Sequence, residues 1–182
     1  MVLETKTLTA EEFDRMALLP ENADKLLEFI GGRIVEVVSN NNSSRLGAKM
    51  LIKIGVHVEN HQLGFMTGAG GGYMVNGERY IPDAAFISKV RQPEPSHAAY
   101  NPNPPDLAVE VLSPSNTDDE IATKVVNYHL AGTIVWVVNP DKQYVVVYVP
   151  NQKPRVIGTD GVLDGGDLLP GFSLPVKDIF AS

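Results

Sequence analysis

The chain has 182 residues, 43% of them hydrophobic, a formal charge of -7 at pH 7 and no cysteine. That length fits a single domain, 1–182, large enough to bury its own core, and the lack of cysteine excludes a disulfide framework and any thiolate metal site. The acidic balance gives no general electrostatic footprint for nucleic acid. No apolar run approaches the ~20 residues of a membrane-spanning helix. With no secretion-type apolar segment at the start of the chain, a cytoplasmic location is expected.

Thr9-Ala10-Glu11-Glu12 has the pattern of a capping box ahead of Phe13, Met16 and Ala17, which predicts a first helix that Pro20 ends. Two strand-like stretches, 25–30 and 33–38, flank Gly31-Gly32 as a tight hairpin. Residues 39–44 read as a polar loop. Leu46, Met50, Ile54 and Val58 then repeat every four residues, so 45–61 is an amphipathic helix. The glycine-rich stretch 64–80 is strand-like, with Asn76-Gly77 as a hairpin turn. The next strand contains Asp83, and 91–105, rich in proline, is a surface loop. The apolar run 107–112 is a buried strand. Thr117-Asp118-Asp119-Glu120 is a second capping box, opening a helix that runs to Leu130 and stops near Gly132. Strands 133–138 and 143–149 flank a turn at 139–142, and 164–180 holds short turns and a docking segment.

Two acids sit where strands should be apolar. Glu110 interrupts Leu107-Ala108-Val109-Glu110-Val111-Leu112, and Asp83 opens Asp83-Ala84-Ala85-Phe86-Ile87. An ionised carboxylate in an apolar setting takes a partner or a proton, so each acid calls for a cation, a donor or water. On the helix after the Glu110 strand, Ile121, Lys124, Val125 and Tyr128 fall on one face, and Lys124 is the lone charge of that inward stripe. Each has an ordinary reading. Asp83 caps a turn beside Pro82, Glu110 pairs with an arginine or faces solvent at a sheet edge, and Lys124 sends its ammonium to water. Taken together, two carboxylates and a lysine are the set that a metal-dependent phosphodiester hydrolase requires: the acids hold Mg²⁺ and the lysine orients or stabilises.

Other signals are weaker. His57 and His61 have the i, i+4 spacing of a zinc pair, without a third ligand or a correctly placed glutamate. Gly68-Ala69-Gly70-Gly71-Gly72 lacks the lysine of a phosphate-binding loop and reads as a hairpin needing close backbone approach. No GxSxG motif supports acyl hydrolysis.

Six segments carry a family resemblance: Leu27-Glu28-Phe29-Ile30-Gly31-Gly32-Arg33-Ile34-Val35, Ile81-Pro82-Asp83-Ala84-Ala85-Phe86, Pro105-Asp106-Leu107-Ala108-Val109-Glu110-Val111-Leu112-Ser113-Pro114-Ser115, Lys124 to Tyr128, Ala131-Gly132, and Val135-Trp136-Val137-Val138-Asn139-Pro140. Together they make the chain resemble, over nearly its whole length, the Uma-two family of restriction-endonuclease-like proteins. That resemblance implies an α/β (α+β) domain with the core of the PD-(D/E)xK nucleases, a central mixed β-sheet flanked by helices. It implies Asp83 and Glu110 as metal ligands, Lys124 as the working lysine and Glu28 as a further ligand or hydrogen-bonding acid. The pattern departs from the superfamily in two places. The position two residues after Glu110 is Leu112 rather than lysine, so Lys124 would be a substitute in space. A histidine common before the long helix is absent from 39–45.

The expectation is therefore a Mg²⁺-dependent endonuclease, Mn²⁺ being an alternative ion, that hydrolyses DNA through Asp83, Glu110 and Lys124. A homodimer is expected, with the tyrosine- and tryptophan-bearing strands near the C-terminus as exposed faces to serve it. The rival expectation is the same fold without turnover, a binding or assembly module, which the charge of -7 favours and the intact acid, acid and lysine set opposes.

Overall fold

The computed structural model describes residues 8–181. Helix α1 (Ala10–Ala17) carries both halves of its capping box, Thr9 and Glu12, and buries Phe13. Pro20 begins a single 3-10 turn rather than open coil, as fits a residue with φ already near helical. Strands β1 (Leu27–Ile30) and β2 (Arg33–Glu36) form the expected hairpin, with Gly31 and Gly32 both at positive φ.

Helix α2 (Asn41–Asn60) starts four residues earlier than its apolar period suggests. Asn40 caps it by accepting from the Ser43 N–H, and the Ser43 hydroxyl donates to Leu112 O, so the polar stretch is the helix's first turn and not a loop. Three strands follow: β3 (Gly64–Gly68), β4 (Gly72–Val75) and β5 (Glu78–Tyr80). Next come β6 (Ala84–Ser88), β7 (Tyr100–Asn101) and β8 (Leu107–Val111). The proline-rich segment thus contains a short strand that pairs parallel to β4. Helix α3 (Asp118–Leu130) has its Thr117–Glu120 capping box. Strands β9 (Ile134–Asn139) and β10 (Tyr144–Tyr148) lead to β11 (Arg155–Gly158), an edge strand that the sequence pattern does not announce because three of its four residues are exposed. The tail is β12 (Val162–Asp164), β13 (Ser173–Pro175) and the docking helix α4 (Val176–Phe180).

These strands make two main sheets rather than one. The six-stranded sheet has the order β11-β10-β9-β8-β6-β3, and only its β8–β9 pair is parallel. The five-stranded sheet has the order β2-β1-β5-β4-β7. Alternation along β8 sends Leu107, Val109 and Val111 into the core that α2 covers, with Leu46, Met50, Ile54 and Val58. It sends Ala108 into a second core, which Tyr73, Tyr80, Val125 and Tyr128 fill from the five-stranded sheet and α3. Trp136 packs in the first core at 2% exposure, so the strand that bears it offers no tryptophan to a partner.

Residues 68–72 do not form a hairpin. They carry the chain from β3 in one sheet to β4 in the other, while the close approach that glycine permits is present. A Cβ on Gly72 would stand 2.5 Å from a Tyr100 ring carbon and 2.8 Å from Ala99 O. Gly72→Ala is accordingly expected to lower unfolding stability by about 1–3 kcal/mol in urea titration. Gly70→Ala, where a Cβ would meet nothing within 4 Å, is expected to stay within about 0.5 kcal/mol of the parent.

Candidate active site

Glu110 and Asp83 meet because β6 and β8 run antiparallel. The last paired residues are Ala84 and Val109, so one step further along each strand sets Asp83 beside Glu110. Asp83 Oδ2 accepts the Val111 N–H at 2.7 Å, which ties the acid to the neighbouring strand where regular pairing ends. Helix α2 passes close above it. A Cβ on Gly47 would lie 3.1 Å from the Asp83 Cβ, so the glycine lets the helix approach.

Lys124 does not reach water. It is 4% exposed, and its ammonium donates to Glu28 Oε1 at 2.8 Å and to Glu110 Oε2 at 3.1 Å. The Tyr80 ring lies beneath it, 5.6 Å from Nζ to the centroid. The ordinary reading of a snorkelling lysine fails because α3 folds back across the six-stranded sheet and the five-stranded sheet closes over it. Glu28, from β1, also accepts the Ile81 N–H on Oε1 at 2.6 Å. Glu110 is completed by Tyr128, whose hydroxyl donates to Oε1 at 3.0 Å. The three acids and the lysine therefore come together from two sheets and a helix.

Charge is unbalanced here. Three carboxyl groups gather around one ammonium, and Asp83 and Glu110 are shifted in their titration. Burial pushes the Asp83 carboxyl up to about 6; the Val111 N–H and Lys124 pull it down, and Glu28 adds to the rise. Burial likewise pushes Glu110 up to about 7, against the pull of Lys124 and with the push of Glu28 and Asp83. For Lys124 burial favours the neutral amine, but Glu110 and Glu28 together outweigh it and hold the ammonium above its ordinary range. Tyr128 is raised well above the usual phenol value by burial and by Glu110, so its hydroxyl keeps its proton.

The acids line a small cavity of about 60 Å³ with Lys124, Ser113, Ser115, Asn116, Glu36 and Glu120. That is room for an ion and a few waters, not for an organic cofactor. The much larger cavity of about 810 Å³ lies elsewhere, between α2, β3 and the loop before β7, and Glu59 is its one charged lining residue. The buried carboxyls and the lysine converge on the smaller cavity. Hard carboxylate oxygens and a surplus of negative charge suit a magnesium ion. Among the described residues, no group of three or more His, Cys, Asp or Glu is arranged as a ready ligand shell. Mg²⁺ sites in general use only one or two protein carboxylates, with water and substrate oxygens completing the shell. It does not suit zinc. His57 Nε2 lies 3.1 Å from Pro170 O and His61 Nδ1 lies 2.9 Å from His57 O, so each histidine has a ring nitrogen engaged by a carbonyl, and neither lines the cavity of the acids.

Residue pattern singles out Asp83, Glu110 and Lys124, the family resemblance adds Glu28, and the structure brings the four together; neither points to Tyr128 as a partner of Glu110. The available signal was its spacing, one turn after Lys124 on the same inward stripe.

Central strands that present two acids to a lysine from a flanking helix place the molecule with the nuclease-like α+β folds. A solved protein from Anabaena variabilis ATCC 29413, described as a "putative nuclease belonging to DUF820", has the same fold: TM-score 0.82, 23% identity, covering 95% of this chain and 97% of that one. The Uma2 family, described as "Putative restriction endonuclease", matches residues 10–177, and the chain belongs to that family. Comparison with curated proteins finds no match. No helix among the described residues is long and apolar enough to cross a membrane.

The raised carboxyls have a cost that can be measured. Asp83 binds its proton more tightly in the folded state, about 6 against 3.8, so folding stability falls as pH rises through that window and stays lower above it. Asp83→Asn keeps an acceptor for the Val111 N–H and removes the charge. It is expected to raise stability by about 1–3 kcal/mol near pH 7.5 and to change little near pH 3.5, as read by urea unfolding at both pH values.

Proposed function

We propose that the chain is a Mg²⁺-dependent endonuclease that hydrolyses DNA, with Mn²⁺ able to replace Mg²⁺ and with Asp83, Glu110 and Lys124 as its working residues. The observation that carries this reading is their convergence in one small, negatively overcharged cavity. A divalent ion bound there supplies charge to polarise a phosphate and to make water a better nucleophile. Asp83 and Glu110 are the oxygen ligands in this reading. Glu28 anchors the lysine, since its Oε1 already accepts from Lys124 Nζ and from the Ile81 N–H. Lys124, kept cationic by its two acids, offers positive charge to an anionic phosphate and orients the attacking water. Cutting both strands of a duplex takes two such cavities, so the reading includes a homodimer.

A second reading keeps the fold and drops turnover, leaving a binding or assembly module. The charge of -7 favours it, as does the engagement of both Glu110 oxygens by Lys124 and Tyr128.

Calorimetric titration with Mg²⁺ and Mn²⁺, paired with plasmid cleavage, separates the two. Metal binding and nicking are expected in the parent and both are expected to vanish in Asp83→Ala. A parent protein that takes up no metal at millimolar concentration leaves the module. Binding also carries a pH signature: protons must leave Glu110 and Asp83 before these can act as ligands, so affinity should rise from about pH 5 to about pH 8 with proton release on binding.

A further inference from the structure

We infer that Tyr128 is a positioning residue of the metal site: its hydroxyl holds Glu110 in ligand geometry when a cation enters the cavity. The inference rests on the metal-dependent reading above. It starts from how Glu110 is held. Helix α3 grips the carboxylate with two side chains one turn apart, Lys124 on Oε2 at 3.1 Å and Tyr128 on Oε1 at 3.0 Å. The two grips differ in charge. An ammonium and a divalent cation repel each other across a few ångströms, so Lys124 would hold Glu110 less tightly beside a bound metal, while Glu28 would keep the ammonium in place. A neutral hydroxyl has no such conflict. It donates to one oxygen while the other turns to a metal, and among the described residues it is the one donor to Glu110 besides Lys124.

Packing fixes the hydroxyl. Tyr128 is fully buried, and its ring lies 5.2 Å from that of Tyr80. The phenol therefore has little freedom to follow a moving carboxylate and instead defines where the carboxylate stays. Donors of this kind behind a ligand are typically worth about 10- to 100-fold in metal affinity.

The test compares Mn²⁺ binding by calorimetry in the parent, in Tyr128→Phe and in Tyr73→Phe. Tyr73 is equally buried but bonds Thr67, away from the acids, and serves as the control for losing a buried hydroxyl. Tyr128→Phe is expected to weaken Mn²⁺ by about 10-fold or more, and Tyr73→Phe to leave the affinity unchanged. Equal loss in both variants, or no loss in Tyr128→Phe, overturns the inference while the metal site stands. A parent that binds no Mn²⁺ overturns both. Should Tyr128→Phe not fold, the near-ultraviolet difference spectrum on saturating Mg²⁺, recorded in the parent and in Tyr80→Phe, decides: a tyrosine signal that persists in Tyr80→Phe supports the role, and a signal that is absent or vanishes with Tyr80 overturns it.

Discussion

The fold turns on one buried ammonium. Lys124 joins Glu28 of the five-stranded sheet to Glu110 of the six-stranded sheet, and it does so from a helix that packs between them. Removing one partner from a buried ion pair typically costs about 3–5 kcal/mol because the other charge is stranded, and here a single nitrogen serves two partners. Apolar contacts press the sheets together, but they are not directional. The lysine and its acids fix which side chains face one another where the sheets meet.

That junction is also where the negative charge is in excess. A region built only for stability would match each acid with a base, as Arg79 matches Asp14 and Arg91 matches Asp106 elsewhere in the domain. Around Lys124 the count is three carboxyls to one ammonium, and burial pushes two of those carboxyls toward neutrality. Perturbed groups of this kind gather at functional sites, where burial and like-charge neighbours shift carboxyls away from their ordinary values.

Much of this was legible in the sequence. Capping boxes at Thr9 and Thr117 located two helices, the four-residue repeat of Leu46, Met50, Ile54 and Val58 located the third, and the misplaced acids Asp83 and Glu110 located the cavity. Local pattern could not supply what depends on distant partners. The division into two sheets follows from pairings such as Phe29 with Arg79, and no periodicity encodes them. Asn41 to Ser44 look like loop until Asn40 caps them as helix. Lys124 looks like a surface lysine until Glu28, 96 residues away in the chain, is seen to receive it.

That separation in sequence shapes how the protein is made. Glu28 leaves the ribosome long before Lys124, and Asp83 and Glu110 precede it too. Until Lys124 is made, the three carboxylates lack the ammonium that bridges two of them in the folded domain, and burying them without it is costly. The cavity is therefore a late product of synthesis, assembled only when the last of its contributors arrives. A chain truncated before residue 118 carries Glu28, Asp83 and Glu110 without the lysine that bridges two of them.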